Sequence, residues 1–260
     1  MLGFHLILRL GDDRVIAPSH AERLRVARQL ARYAREFPIL AWKLADTHLH
    51  VVLLGDASVV DELVRRLRIW FTNAVRPGVP LEVQRKKPIR SQSHLEAAIR
   101  YALGQDAHHG VETDRYQDAS SVVDTLGLRV LCPEIAPRLR QHHPRLQREV
   151  LLRPLGVDAL AEAVHLDHLA AAAAAAFGLP MPTLRGDGAR ARRAAVAAAA
   201  GHPLPAIARA LAVTPQAAGR LAKQGAPPRA VRAVRLQMAL RAALPVEADF
   251  AGERPLPAYG

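Results

Sequence analysis

The stretch Ala45-Asp-Thr-His-Leu-His-Val-Val-Leu-Leu54 constrains this chain more than any other. Side chains alternate across a strand, so His48, His50, Val52 and Leu54 share one face while Leu49, Val51 and Leu53 share the other. A strand apolar on both sides belongs in the middle of a sheet, and the two histidines open one polar spot on it. They stand about 7 Å apart along the strand, a spacing that suits a metal ion. The alternative is a pair of strand histidines satisfied by their neighbours. With 12 histidines in 260 residues a His-x-His pair needs supporting context.

That context begins with the elements around it. Phe4–Leu10 reads as a strand ending in the Gly11-Asp-Asp13 turn, and Ser19-His-Ala-Glu22 is a capping box opening a helix along Leu24, Ala27, Leu30, Ala31 and Ala34. Phe37–Leu44 is the next strand, and Asp46-Thr47 turns it back antiparallel into His48–Leu54. A second amphipathic helix is expected from Ser58 to Ala74, with Val59, Leu63, Leu67 and Trp70 on one stripe and Trp70 and Phe71 in the core. A last strand is expected at Leu81–Gln84 or at Pro88–Arg90, with Arg85, Lys86 and Lys87 on a loop between them as candidate phosphate contacts. Ser93-His-Leu-Glu96 has the pattern of another capping box, opening a helix with Leu95, Ile99 and Leu103 toward the sheet. Tyr101 and Gln105 are four apart on the flank of that stripe.

Charge narrows the partners. The formal net charge is +12, and 18 basic against 9 acidic residues in 126–260 make the C-terminal half the more basic. Such a balance favours a polyanion, nucleic acid before a membrane surface, since no basic amphipathic helix stands out. One cysteine, Cys132, rules out an internal disulfide or a cysteine zinc cluster. With no signal-peptide pattern and no apolar run of spanning length, the expected location is the cytoplasm, in association with the nucleoid.

Residues 126–150 read as a connector, 151–245 as a helical domain and 246–260 as a tail, after a first domain at 1–125. Helices are expected over Val157–Phe177 and Gly188–Ala200. Leu204–Lys223 then has the pattern of a helix-turn-helix. Ile207, Ala208 and Leu211 pack the first helix, Val213 fills the turn, Thr214 caps the second with Pro215 at its first position, and Leu221 packs back. Gln216, Arg220 and Lys223 become its exposed recognition residues, and Arg190, Arg192 and Arg193 on the preceding helix become phosphate contacts. An ordinary helical hairpin has the same spacing.

His48-Leu49-His50 on a central strand, followed by Arg100-Tyr101-Ala-Leu-Gly-Gln105 on a helix, resembles the single-tyrosine HUH transposases, in particular the branch associated with repetitive extragenic palindromes. Ala41–Leu54 is similar to that family's strand–turn–HUH segment, and Tyr116-Gln-Asp-Ala-Ser-Ser121 to its tyrosine–serine–serine segment. The likeness covers about residues 4–125. Asp46-Thr47 stands where the family has Pro-Asn or Pro-Asp, and Gln105-Asp106 where it has Asn-Pro. The C-terminal helices resemble the DNA-binding domain of the bacterial chromosome replication initiator.

The resemblance implies an α+β chain: an antiparallel-sheet HUH domain, ferredoxin- or RRM-like, followed by an all-α domain with the helix-turn-helix. It implies cleavage and rejoining of single-stranded hairpin DNA, with Tyr101 as nucleophile and a 5′-phosphotyrosine intermediate. His48, His50 and Gln105 would hold one divalent cation, Mg2+ or Mn2+. Arg85, Lys86, Lys87 and Arg100 would join the helical-domain residues in contacting DNA, with duplex DNA a further partner of the helix-turn-helix. A phenol keeps its proton at neutral pH, so a proton acceptor is needed, for which His94 and the His108-His109 pair are candidates. The protein would be a monomer, or a homodimer exchanging tyrosine helices. A non-catalytic DNA-binding regulator and a hydrolytic metal nuclease are the other classes compatible with the sequence.

Overall fold

The computed structural model describes residues 1–105, 114, 116–180 and 188–244. The tail at 246–260, the His108-His109 pair and Asp106 fall outside them. The protein is α+β, with one open four-stranded antiparallel sheet and many helices. Strands β1 (Gly3–Leu10), β2 (Ile39–Leu44), β3 (His48–Leu54) and β4 (Leu81–Ile89) lie in the order β2-β3-β1-β4. Helix α1 (His20–Glu36) connects β1 to β2, and α2 (Ala57–Ala74) connects β3 to β4. Each joins strands separated by one neighbour, so both crossings lie on one face.

Local chemistry starts these elements. Ser19 caps α1 in the expected capping box with Glu22, and Asp56 caps α2 by accepting from the Ser58 and Val59 amides. On the α1/α2 face Leu6, Leu8, Leu49, Val51 and Leu53 meet Val26 and Leu30 of α1 and Leu63, Leu67 and Phe71 of α2, in one wholly buried cluster. Trp70 is half-buried against that cluster rather than inside it.

The last strand is continuous over Leu81–Ile89, so Arg85, Lys86 and Lys87 are strand residues and not a loop. Its pairing with β1 slips between Ile7 and Leu8, where Arg85 and Val83 are the partners and Gln84 is extra. Such a bulge turns the alternation over midway, so Leu81 and Val83 face α1 and α2 while Arg85, Lys87 and Ile89 face the other side. Helix α3 (Gln92–Leu103) is capped by Ser91, which accepts from the His94 amide, and not by Ser93.

Helix α3 covers the second face, where Leu95, Ala98, Ile99 and Ala102 pack with Leu40, Ala41, Val52 and Ile89. Leu128 and Leu139, within the residues read as connector, are built into this side. Helices α4 (Val122–Thr125), α5 (Ile135–His142) and α6 (Arg148–Leu152) contribute Val122, Leu139 and Leu151 to the same cluster. Arg138 of α5 donates to the carbonyls of Ala34, Phe37 and Ile39, tying it to the α1–β2 link.

Beyond lie α7 (Leu169–Ala176), α8 (Ala189–Ala198), α9 (Leu204–Ala210), α10 (Pro215–Gln224) and α11 (Pro228–Ala243). The helix expected over Val157–Phe177 is therefore confined to α7, with a 3-10 turn at Leu166–His168 before it. Alanines of α7 and α8 form a tight cluster with Ile207, Val234 and Met238. Helix α11 also gives Leu236 and Leu240 to the cluster on the second face of the sheet, so one helix packs into both cores. No helix among the described residues is long and apolar enough to cross a membrane.

Candidate functional site

Strand pairing sets Lys43 and Ile7 on either side of His50, and Val52 and Lys87 on either side of His5. All carry their side chains on the α3 face. His5 Nε2 lies 3.2 Å from His50 Nδ1, and the two rings are 5.5 Å apart. One imidazole donates to the other, which ties their tautomers together. The His48 ring is 6.2 Å from that of His50, and its Nδ1 is 2.9 Å from the Thr47 hydroxyl.

Tyr101, on the flank of α3, is 44% exposed. Its ring stands edge-on to both His5 and His50, each at 5.7 Å. Tyrosine and histidines of one chain thus meet at one spot. Gln105 is buried, and its amide nitrogen donates to the Tyr101 carbonyl at 2.7 Å, so any coordination by it falls to Oε1. Coordination by His50 falls to Nε2, because Nδ1 faces His5.

Two imidazoles and an amide oxygen have the donor chemistry of a mixed nitrogen–oxygen cation site with positions left for water and phosphate oxygens. Among the described residues no three His, Cys, Asp or Glu side chains group around a point where an ion could sit.

His5 was not singled out by sequence reasoning. Its only signal was a polar residue in an otherwise apolar strand, and the register that brings it to His50 is a long-range choice. Burial, and then the charges of Lys87 and His94, lower its pKa to about 4, so it is neutral at physiological pH. Lys43 was missed for the same reason. It is fully buried, donates to Gln117 Oε1 at 2.8 Å and lies 3.5 Å from Asp114 Oδ2. Burial pushes the Asp114 carboxyl up, but Lys43, Arg23 and the amides of Ala119 and Asp118 outweigh it and hold it below the usual range. Asp118 is pushed up, first by burial and then by the Asp114 charge.

The segment after Asp114 closes the site along the edge of β2. Ser121 accepts from the Trp42 amide and donates to its carbonyl, the Leu44 amide donates to the Ala119 carbonyl, and Lys43 and Ser120 form an isolated bridge. The Tyr116 ring lies under the Arg241 guanidinium of α11 at 4.0 Å.

The basic residues divide. Arg85 and Lys87 are exposed beside the histidines. Lys86 is on the opposite face, 2.6 Å from Asp61 of α2 and over the Phe4 ring. Arg100 is exposed and paired with Glu96 on its own helix. His94, half-buried, is near enough for its charge to act on His5. In the helical region Gln216, Arg220 and Lys223 are exposed on α10, whose N-terminus is capped by Thr214 as expected. On α8 Arg190 is exposed, whereas Arg192 and Arg193 are half-buried.

Fold and site together define an α+β protein with a histidine–tyrosine cluster on the covered face of an antiparallel sheet. No family model, curated protein or solved structure matches the chain.

Proposed function

We propose that the protein is a single-tyrosine HUH transesterase that cuts and rejoins single-stranded, hairpin-forming DNA, as a transposase of the palindrome-associated branch would. The observation that carries this reading is Tyr101, solvent-accessible and 5.7 Å from His50 of its own chain, with His48 beside it. The β-α-β-β-α-β order around it is that of a ferredoxin-like sheet. Because tyrosine and histidines come from the same chain, the reading needs no second copy to complete the site.

In the reaction Tyr101 Oη bonds to the scissile phosphorus, its proton passes to an acceptor, and the bond to the 3′ oxygen breaks as that oxygen takes up a proton. The resulting phosphotyrosine ester conserves the bond, so attack by a 3′ hydroxyl rejoins DNA and frees the phenol. Bound by His48, His50 and Gln105, a divalent cation (Mg2+ or Mn2+) would polarise the phosphate and neutralise charge on the leaving oxygen. His5, with its low pKa, is a poor proton acceptor, and its part is to orient His50. Arg85 and Lys87 would hold the strand on the rim of the sheet.

The test is incubation with end-labelled hairpin DNA and Mn2+ or Mg2+. A denaturation-resistant adduct that disappears in Tyr101→Phe and with chelator is expected. Cleavage persisting in Tyr101→Phe would mean a hydrolytic nuclease. A second reading, a non-catalytic DNA-binding regulator, is favoured by the exposed Gln216, Arg220 and Lys223 on a helix capped for docking. Tight hairpin binding without adduct or cleavage would select it.

A further inference from the structure

Away from the tyrosine, a cavity of about 440 Å³ opens where the α4–α6 segment meets the start of α11, within the size range of small-ligand sites. Its walls are apolar: Leu126, Val130, Leu139, Leu146 and Leu151. Its basic lining comes from three helices, with Arg140 on α5, Arg148 on α6, and Arg229 and Arg232 on α11. The sole carboxylate in the lining, Asp124, is wholly buried and held by Arg129, so that pair adds no net charge.

A second observation points to a ligand. His143, only 6% exposed, lines the cavity, and neither of its ring nitrogens has a hydrogen-bond partner among the described residues. Its Nε2 lies 3.3 Å from Glu96 Oε2. A buried ring nitrogen left bare is unfavourable unless something fills the cavity beside it. Arg140 and Arg229 are exposed and form no ion pair with a described residue. Arg148 reaches the Leu160 carbonyl, and Arg232 pairs with Glu162 at the surface, where such a pair exchanges readily.

We propose that this cavity binds a phosphate-flanked base, as a free nucleotide or as one unit of a single strand. The apolar slot receives the base, His143 Nδ1 meets one of its polar edges or the sugar, and the arginines take the phosphates. Apolar walls with a cationic rim suit that amphiphile better than a bare anion, which would not use the slot, or a lipid chain, which would not need four arginines. The inference goes beyond the covalent chemistry and does not depend on it.

Calorimetric titration of the full chain with thymidine 5′-monophosphate, short oligo(dT) and an abasic oligonucleotide of equal length tests it. Arg140→Ala/Arg229→Ala removes rim charge, and Ala136→Trp fills the slot while leaving the rim intact. Binding of the nucleotide or of oligo(dT), weakened roughly tenfold or more by each variant, is expected. Saturation by the free nucleotide would identify it as sufficient, whereas binding of oligo(dT) alone would identify a strand unit; either supports the site. An abasic strand binding as tightly as oligo(dT), affinity unchanged in Ala136→Trp, or no binding of any probe would overturn it. The Tyr101 adduct, read on the same preparations, reports separately on the transesterase reading.

Discussion

The two faces of the sheet differ in what they bury. Toward α1 and α2 the strands bury only apolar side chains, as at Phe4, Leu6, Leu8, Trp42, Leu49, Val51 and Leu53. Toward α3 the same strands bury His5, Lys43 and His50. Apolar burial contributes stability whatever its partner, whereas a buried polar group is tolerated only when held by specific neighbours. The first face therefore holds the fold together, and the second holds a constellation of side chains in place.

Lys43→Met should produce the largest stability loss. It leaves the Asp114 carboxylate buried without its ammonium partner, at a cost of about 3–5 kcal/mol in denaturant unfolding. Adding Asp114→Asn should recover much of that loss. A double variant no better than the single would mean that the pair is not what Lys43 supports.

Leu6 and His5 are adjacent and point to opposite faces, so they make a direct contrast. Leu6→Ala should cost about 2–5 kcal/mol in stability and, in the fraction that stays folded, leave adduct formation alone. His5→Gln should do the reverse, with the unfolding midpoint little changed and the rate of adduct formation roughly 10–100-fold lower because His50 loses its orienting partner. Equal effects of the two on stability, with none on rate, would erase the distinction between the faces.

The smallest effect concerns Cys132, buried in the first-face cluster. Burial, then the charges of Asp124 and Glu134, push its thiol up to about 12 from an ordinary 9. A group raised this way stays protonated until pH nears the folded value, so a disulfide reagent should label it only after unfolding at pH 8. In the native chain labelling should not accelerate through pH 9, where a free thiol would. Rapid native labelling would mean that the first face opens.

Features fixed by local spacing were legible in the sequence. The shared face of His48 and His50 follows from two-residue alternation, whereas Gln105, expected four residues on along the helix of Tyr101, lies past the end of α3 at Leu103 and reaches the Tyr101 carbonyl with its side chain. Caps at Ser19 and Thr214 were readable because a hydroxyl needs only an amide two or three residues on. Even these local rules slipped where two candidates competed, as with Ser91 over Ser93. The bulge at Gln84 hid a continuous strand, since one extra residue reverses the faces that the pattern is meant to report.

Chain order, strand periodicity and cap chemistry thus lay in the sequence itself, because each depends on residues within a turn or two of one another. Tertiary structure alone decided that His5 meets His50, that Lys43 finds Asp114 and Gln117, and that α11 packs into two cores. Those are choices of register and docking among segments tens of residues apart, settled by burying every apolar face at once.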